Sequence, residues 1–267
     1  MARIGGIALA TLAISGVAPA TSLAASLRDY LGATADDRFV VPMVGRFQAE
    51  TGDAFVVDRL DSRNLLVRFD SSPEIWVLQP HSGPRGDVIY KNDVGEPVLR
   101  ATRVGGLTLF TPNNPGGVAA AFAGDAPGLR PPPVSSPGDL LRAFTQASAR
   151  AGRATQQVIS FEARNVPLAA APFFADAAQV VAEAFTRVAS RADSAARGIG
   201  RWSKVEFFVG RNPSVSADQG DLRVTLAPDR GFAGRPSSER IATVIARARA
   251  APMGRPRLTP QPAQQRR

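Results

Sequence analysis

The sequence has no cysteine, a single histidine (His81) and only two lysines, Lys91 and Lys204. Without cysteine the chain cannot build a disulfide framework, a thiolate metal site or a cysteine nucleophile. One histidine also excludes a metal centre made from a histidine cluster. The positive charge of the chain is therefore almost entirely arginine.

Motifs of the common enzyme and nucleic-acid-binding classes are absent as well. The chain beyond its first 24 residues has no Gly-x-Ser-x-Gly nucleophile elbow, no glycine-rich phosphate loop, no zinc-ligand spacing and no nucleic-acid-binding motif. The sequence thus predicts no cofactor and no nucleic-acid partner. It favours a protein without catalytic activity.

Residues 1–24 are organised like a secretory signal peptide. Arg3 supplies the positive charge, an apolar stretch follows over residues 4–17, and small residues form a cleavage site near Ala20 or Ala24. The apolar stretch has about 14 residues, whereas a membrane-spanning helix needs about 20. We predict a periplasmic or secreted protein with no transmembrane segment in the mature chain.

A run of short β-strands is predicted between Asp53 and Thr111, within a β-rich part over residues 25–111. The six predicted strands are Ala54–Asp58, Leu65–Phe69, Glu74–Gln79, Asp87–Lys91, Pro97–Thr102 and Leu107–Thr111. Strands that recur at intervals of about ten residues are typical of an antiparallel meander. The run Ile75–Leu78 does not alternate between apolar and polar residues, which predicts cover on both faces.

Residues 112–136 are rich in proline and glycine and include three consecutive prolines at 131–133. Such a composition interrupts regular structure and favours an extended chain. We predict a connector here, at the boundary between two parts of the protein.

Residues 137–250 have apolar residues at helical spacing. Ser136, Pro137 and Asp139 predict the start of a helix, with a capping serine, a proline in the first turn and an acid three residues after the cap. The apolar face of this helix is predicted to carry Leu140, Leu141, Phe144 and Ala147. A longer helix is predicted from the apolar stripe Phe174, Ala178, Val181, Phe185, Val188 and Ala192. Glu183 and Arg187 are expected to pair on its solvent side.

Three strands and a last helix complete this part. The strands are predicted at Val158–Ala163, Lys204–Val209 and Leu222–Leu226. The helix begins after Pro236, is capped by Ser237 or Ser238, and buries Ile241, Val244, Ile245 and Ala248. The order αβαββα predicts helices on one face of a small sheet, and the whole chain is predicted as an α+β protein.

The net charge of +9 is concentrated at the C-terminus. Seven arginines and no acid lie between Arg240 and Arg267, so the preceding body is nearly neutral. Residues 251–267 have prolines and no apolar periodicity, which predicts a disordered basic tail. An anionic envelope polymer is the partner that such a tail suggests.

Three segments resemble a known family: Pro73–Trp76, Gly86–Arg100 and Gly105–Phe110. They look like a family of exported alphaproteobacterial proteins classed as a domain of unknown function. The segment Gly231–Ser238 is similar to the C-terminal signature of that family. The resemblance covers most of the mature chain, and it implies no activity, cofactor or catalytic residue.

Two groups of residues are weak candidates for catalysis. His81 and Ser82 are a possible base and nucleophile, but neighbours in sequence rarely have triad geometry, and a turn between strands explains them equally. Five carboxylates could supply an acid and base for cleaving a glycan: Asp58, Asp61, Asp70, Glu74 and Asp87. Solvated acids at strand ends are the simpler interpretation.

The segment Gly234–Ser238 is the candidate binding site. A serine-capped helix start leaves backbone N–H groups pointing outward, so Arg235, Ser237 and Ser238 could hold an anion. The alternative is a capped helix beside a solvated arginine. Trp76 and Trp202 are predicted as core residues.

The sequence as a whole predicts an exported, non-enzymatic binding or structural module of the envelope or the medium. A hydrolase that acts on a cell-wall or extracellular polymer is the alternative. A deep cleft with converging carboxylates, or a serine–histidine pair, would favour the hydrolase.

Overall fold

Eight antiparallel strands in the first half of the chain close into a barrel, in the order β1 to β8 with β8 paired to β1. The computed structural model describes residues 44–59, 64–131, 134, 136–164, 166–191 and 202–250. The predicted signal peptide and the predicted tail lie outside these residues. The strands are β1 Gly45–Ala49, β2 Ala54–Arg59, β3 Leu65–Phe69, β4 Ile75–Ser82, β5 Val88–Lys91, β6 Pro97–Ala101, β7 Leu107–Thr111 and β8 Asn114–Gly124.

Strands β2 to β7 match the six predicted strands, because alternating side chains specify which face of each strand is buried. Leu65 and Val67 point into the barrel, whereas Leu66 between them belongs to a second apolar cluster on the outside. The expectation of cover on both faces of β4 is also met, since Ile75 packs outside and Leu78 inside.

The two strands that close the barrel were not predicted, and β8 lies within the range assigned to the connector. Its sequence is mostly glycine and alanine without apolar alternation. The glycines serve packing: a Cβ on Gly117 would lie 2.5 Å from a methyl carbon of Thr108, and its φ is +83°. Across the seam, Phe47 and Phe122 meet edge to face with ring centroids 5.6 Å apart. Cross-strand packing therefore holds a strand that local propensity does not favour.

The second half of the described chain forms a four-stranded sheet with helices. Its elements are α1 Pro137–Thr155, β9 Ser160–Ala163, α2 Ala171–Ser190, β10 Lys204–Val209, β11 Ser214–Asp218, β12 Asp221–Leu226 and α3 Ser238–Ala250. The strand order is β11-β12-β10-β9, with β11 antiparallel to β12 and the other pairs parallel. The observed order αβαβββα differs from the prediction by β11, an edge strand too polar to stand out in the sequence. The protein is thus an α+β protein.

The helices pack on one face of this sheet. Val205 and Phe207 of β10 share one core cluster with all three helices. The capping box at Ser136 and Asp139 is present as predicted. Leu141, however, is 68% exposed, because it lies beside the buried face of α1.

Helix α2 is the most buried helix of the described chain. Its predicted stripe is buried from Phe174 to Val188, and further side chains on its other sides are buried as well. The segment Leu168–Ser190 is long and apolar enough to cross a membrane, but 61% of its apolar 18-residue stretch is buried inside the molecule. A core helix meets the same criterion, and the packing of α2 explains its composition.

Two segments attach the barrel to the rest of the chain. Leu129, after β8, and Phe232, in the short 3-10 helix Pro228–Gly234, cover the outer barrel residues Val56, Leu66 and Ile75. The carboxylate of the buried Asp58 accepts a hydrogen bond from the backbone N–H of Leu129 at 2.7 Å. The barrel and the α/β unit thereby share an apolar contact.

Candidate functional site

Arg235, a residue of the predicted anion site, is buried where the α/β unit meets the barrel. Its side chain is 2% exposed, and its Nε donates to the carboxylate of Asp176 on α2. One terminal nitrogen donates to the carbonyl oxygen of Ile75 on β4 at 2.6 Å, and the other lies 4.0 Å from Glu74. A single guanidinium thus joins the helical layer to the barrel.

The backbone before Arg235 explains how the arginine reaches this position. Gly231 has a φ of +53°, which favours glycine, and it kinks the 3-10 helix. At Gly234 a Cβ would lie only 1.9 Å from the carbonyl oxygen of Ala227, so no larger residue fits. The next residue adopts an extended conformation, as a residue before proline prefers, and α3 then begins.

Glu74 sits opposite the start of α3 and is fully buried. Its carboxylate accepts hydrogen bonds from the backbone N–H of Ser238 at 2.9 Å and from the Ser238 hydroxyl. Burial raises the pKa of Glu74 above its usual 4.5, while Arg235 and the backbone N–H of Ser238 oppose that rise. The positive end of α3 therefore faces a carboxylate of the barrel.

A second barrel carboxylate, Asp93 in the β5–β6 loop, binds the same helix start. It accepts hydrogen bonds from the backbone N–H of Ser237 at 3.0 Å and from the Ser237 hydroxyl. It also accepts from Nε of Arg240 at 3.0 Å. Ser237 is the helix cap, since its hydroxyl oxygen accepts from the backbone N–H of Arg240 at 3.1 Å.

Arg187 of α2 completes this group. Its guanidinium nitrogens lie 3.7 Å from Glu74 and 3.8 Å from Glu239. Its Nε lies 3.5 Å from Glu183, close enough for an ion pair but without hydrogen-bond geometry. The guanidinium carbon is 5.3 Å from the ring centroid of Trp76, within cation–π range. The expected pair with Glu183 exists, but it faces the barrel rather than solvent.

We call these residues the junction network: Glu74, Asp93, Asp176, Arg187, Arg235, Ser237, Ser238 and Arg240. The structure thus brings Arg235, Ser237 and Ser238 together, and each of them holds a carboxylate of the protein itself. These partners could not be predicted from the sequence, because Glu74 lies 164 residues before Ser238.

The candidate catalytic pair is separated by the strand that carries it. His81 and Ser82 belong to β4 rather than to a turn, and successive side chains of a strand point to opposite faces. His81 lies on the outer face with Gln79, and Ser82 is opposite Val88 across the pair of strands. These two side chains do not form a base–nucleophile pair.

The candidate acid–base carboxylates have different partners in different places. Asp58 accepts a hydrogen bond from the backbone of Leu129, and Glu74 accepts one from the backbone of Ser238. Asp70 forms an ion pair with Arg46, and Asp87 forms one with Arg100. Asp61 lies outside the described residues. No group of three or more histidine and acidic side chains that could hold a metal occurs in the described ranges.

A cleft of about 590 Å³ opens beside the junction network, and we call it the junction cleft. The barrel contributes the amides of Asn64 and Gln79 and the imidazole of His81. The α/β unit contributes Arg230 and the backbone around Pro236. Among the described residues that line the cleft, Asp93 supplies the single carboxylate, and Arg230 and Arg240 supply exposed guanidinium groups, whereas the guanidinium of Arg235 is buried.

The matching family model covers residues 26–245, and its description is "Domain of unknown function (DUF4908)". Because the match extends over most of the sequence, the chain belongs to this family. No curated protein and no solved structure matches the chain significantly.

Proposed function

We propose that this member of the DUF4908 family is an exported, non-enzymatic binding module that holds its ligand in the junction cleft. The cleft lies between two structural units, where binding sites are often found, and its volume is typical of ligand pockets. The charged residues of the junction network fix the relative positions of its two walls. The proposal rests on one observation: the polar junction cleft lies directly beside the buried junction network.

The geometry offers little to a hydrolase. Hydrolysis of a glycosidic bond requires two carboxyl groups on either side of the scissile bond. Asp93 is the one carboxylate lining the described cleft, and it already binds Ser237 and Arg240. His81 reaches the cleft, but Ser82 lies on the other face of β4.

Export is part of the proposal and is supported by the composition of residues 1–24, with its positive charge, apolar stretch and small residues. A binding module in the envelope or the medium would meet polymers there, and the hydroxyl and charged groups of such polymers suit a polar cleft.

The proposal can be tested by filling the cleft in a protein expressed in cells. Gln79→Trp places a large side chain on the exposed wall of β4, where tryptophan is compatible with a strand. Gln48→Trp is the matched control, because Gln48 is also an exposed barrel glutamine but does not line the cleft. We expect all three proteins to start after Ala20 or Ala24. Wild type and the control should sediment with envelope material, and a smaller fraction of Gln79→Trp should sediment with it.

Different failures have different meanings in this experiment. An intact chain that begins at Met1 in the cytosol would overturn export. Equal sedimentation of all three proteins would overturn the cleft as the binding site. Release of soluble fragments from envelope material by the purified wild type, and not by Gln79→Trp, would establish the hydrolase instead.

A further inference from the structure

Resting on the function proposed above, we propose that the junction cleft selects an acidic saccharide, with Arg230 as the residue that binds its carboxylate. The proposal goes beyond a binding module because it names the ligand class and the group that distinguishes it. Four observations support it: the pairing of each arginine, the anchoring of Arg230, the polar groups of the opposite wall and the apolar residues between them.

The three arginines that line the cleft differ in whether a carboxylate of the protein already pairs with them. Arg235 is buried and lies between the carboxylates of Asp176 and Glu74. Arg240 is 44% exposed and binds Asp93. For Arg230, no carboxylate of the described residues lies within ion-pair distance. Its guanidinium is exposed to solvent and is therefore the one on the described cleft wall that is open to a carboxylate of a ligand.

Arg230 is exposed, and two hydrogen bonds orient it. One terminal nitrogen donates to the side-chain amide oxygen of Asn212 at 3.2 Å, and its backbone N–H donates to the carbonyl oxygen of Ala227 at 3.0 Å. An amide oxygen orients a guanidinium without neutralising it. The remaining N–H groups of the planar fork can then take a carboxylate.

The opposite wall fits the rest of a sugar. Gln79 and His81 present an amide and an imidazole, which both donate and accept hydrogen bonds, as sugar hydroxyls do. The apolar surfaces of Pro213 and Ala233 lie among the lining residues and can contact the C–H groups of a sugar ring. A neutral sugar would leave Arg230 unmatched, so the cleft favours an acidic one.

The test compares an acidic probe with its neutral counterpart on the mature chain. The probes are a short galacturonate oligomer and the matching galactose oligomer, and binding is measured by calorimetry at physiological salt. We expect the wild type to bind the acidic probe at least about tenfold more tightly, as charge-assisted hydrogen bonds predict. Arg230→Gln should reduce this difference, while Arg153→Gln, an exposed arginine of α1 outside the cleft, should retain it in full.

A second variant guards against a folding defect in Arg230→Gln. Asn212→Asp changes an exposed residue almost isosterically and places a carboxylate beside Arg230. It should weaken binding of the acidic probe and leave the neutral probe unaffected. The inference is overturned if the wild type binds neither probe or binds both equally. It is also overturned if folded Arg230→Gln or Asn212→Asp binds the acidic probe like the wild type.

The two proposals can fail separately. If Gln79→Trp reduces retention by envelope material but Arg230→Gln does not alter selectivity, the cleft is the site and its ligand is not an acidic saccharide. If Gln79→Trp has no effect on retention, the cleft is not the site and both proposals fall.

Discussion

The positively charged guanidinium of Arg235 is buried in a part of the molecule that is almost inaccessible to water. The cost of removing a guanidinium from water is several kcal/mol, and it is offset only by close opposite charges and satisfied hydrogen bonds. Asp176 and the carbonyl oxygen of Ile75 supply the hydrogen bonds, and Glu74 adds a further charge nearby. Each of these buried charged groups therefore depends on the others to offset the cost of its burial.

Removing the charge of Arg235 should therefore be costly. We expect Arg235→Met to lower the free energy of unfolding by about 3–5 kcal/mol, because Asp176 would remain buried without its cation. The control is Arg142→Met, which breaks an exposed pair with Asp139 and should cost less than about 1 kcal/mol. Urea denaturation of both variants provides the measurement. Similar small losses in the two would show that Asp176 is not dependent on Arg235.

Helix α2 is the element that links both halves of the protein. It packs against α1, α3 and the sheet, and its Arg187 side chain contacts the ring of Trp76 in the barrel. A helix with apolar residues on several sides is suited to this central position. Its stability comes from packing on all of these surfaces together.

Phe185 lies in the middle of α2 and tests this packing. Its ring is fully buried and meets Trp202 edge to face, with centroids 5.8 Å apart. Phe185→Ala should cost roughly 3–5 kcal/mol in denaturant unfolding, the range for a large core side chain. Leu141→Ala, at an exposed apolar position of α1, should change stability by no more than about 0.5 kcal/mol. A loss below about 1 kcal/mol for Phe185→Ala would contradict the central position of α2.

Local signals in the sequence were enough for most elements of the fold. Period-two alternation located β2 to β7, and the capping residues located the start of α1. Strands β1, β8 and β11 were missed because their existence depends on pairing with neighbouring strands rather than on their own apolar pattern. The same holds for the site. The sequence indicated the residues around Arg235, but their partner Glu74 could be identified only from the fold.

At the scale of the whole molecule, we predict that the nearly neutral folded body and the basic C-terminal segment are two separate parts. Arg240 belongs to the junction network, whereas four arginines lie after Ala250: Arg255, Arg257, Arg266 and Arg267. Their segment has prolines and no apolar period, which is the basis for predicting that it does not pack on the body.

Truncation after Ala250 separates these two parts. We expect the free energy of unfolding to change by no more than about 0.5 kcal/mol, as for an exposed segment. Retention of the mature protein on a polyanionic matrix should fall, along with its salt dependence, because arginines that bind a polyanion release counterions. A large loss of stability would show that the tail packs on the body. Unchanged retention would show that it does not bind the polymer.

The apolar contact outside the barrel also has a consequence for the order in which the protein folds. The last of the eight barrel strands ends at Gly124, so the barrel can close before the second half of the chain has packed on it. Val56, Leu66 and Ile75 on its outer surface must still wait for Phe232 to cover them. Until then a closed barrel would expose this apolar surface to solvent. The carboxylate of Glu74 would not yet have its hydrogen bond from Ser238. We therefore expect a folding intermediate with a closed barrel and an unpacked second half to be prone to aggregation.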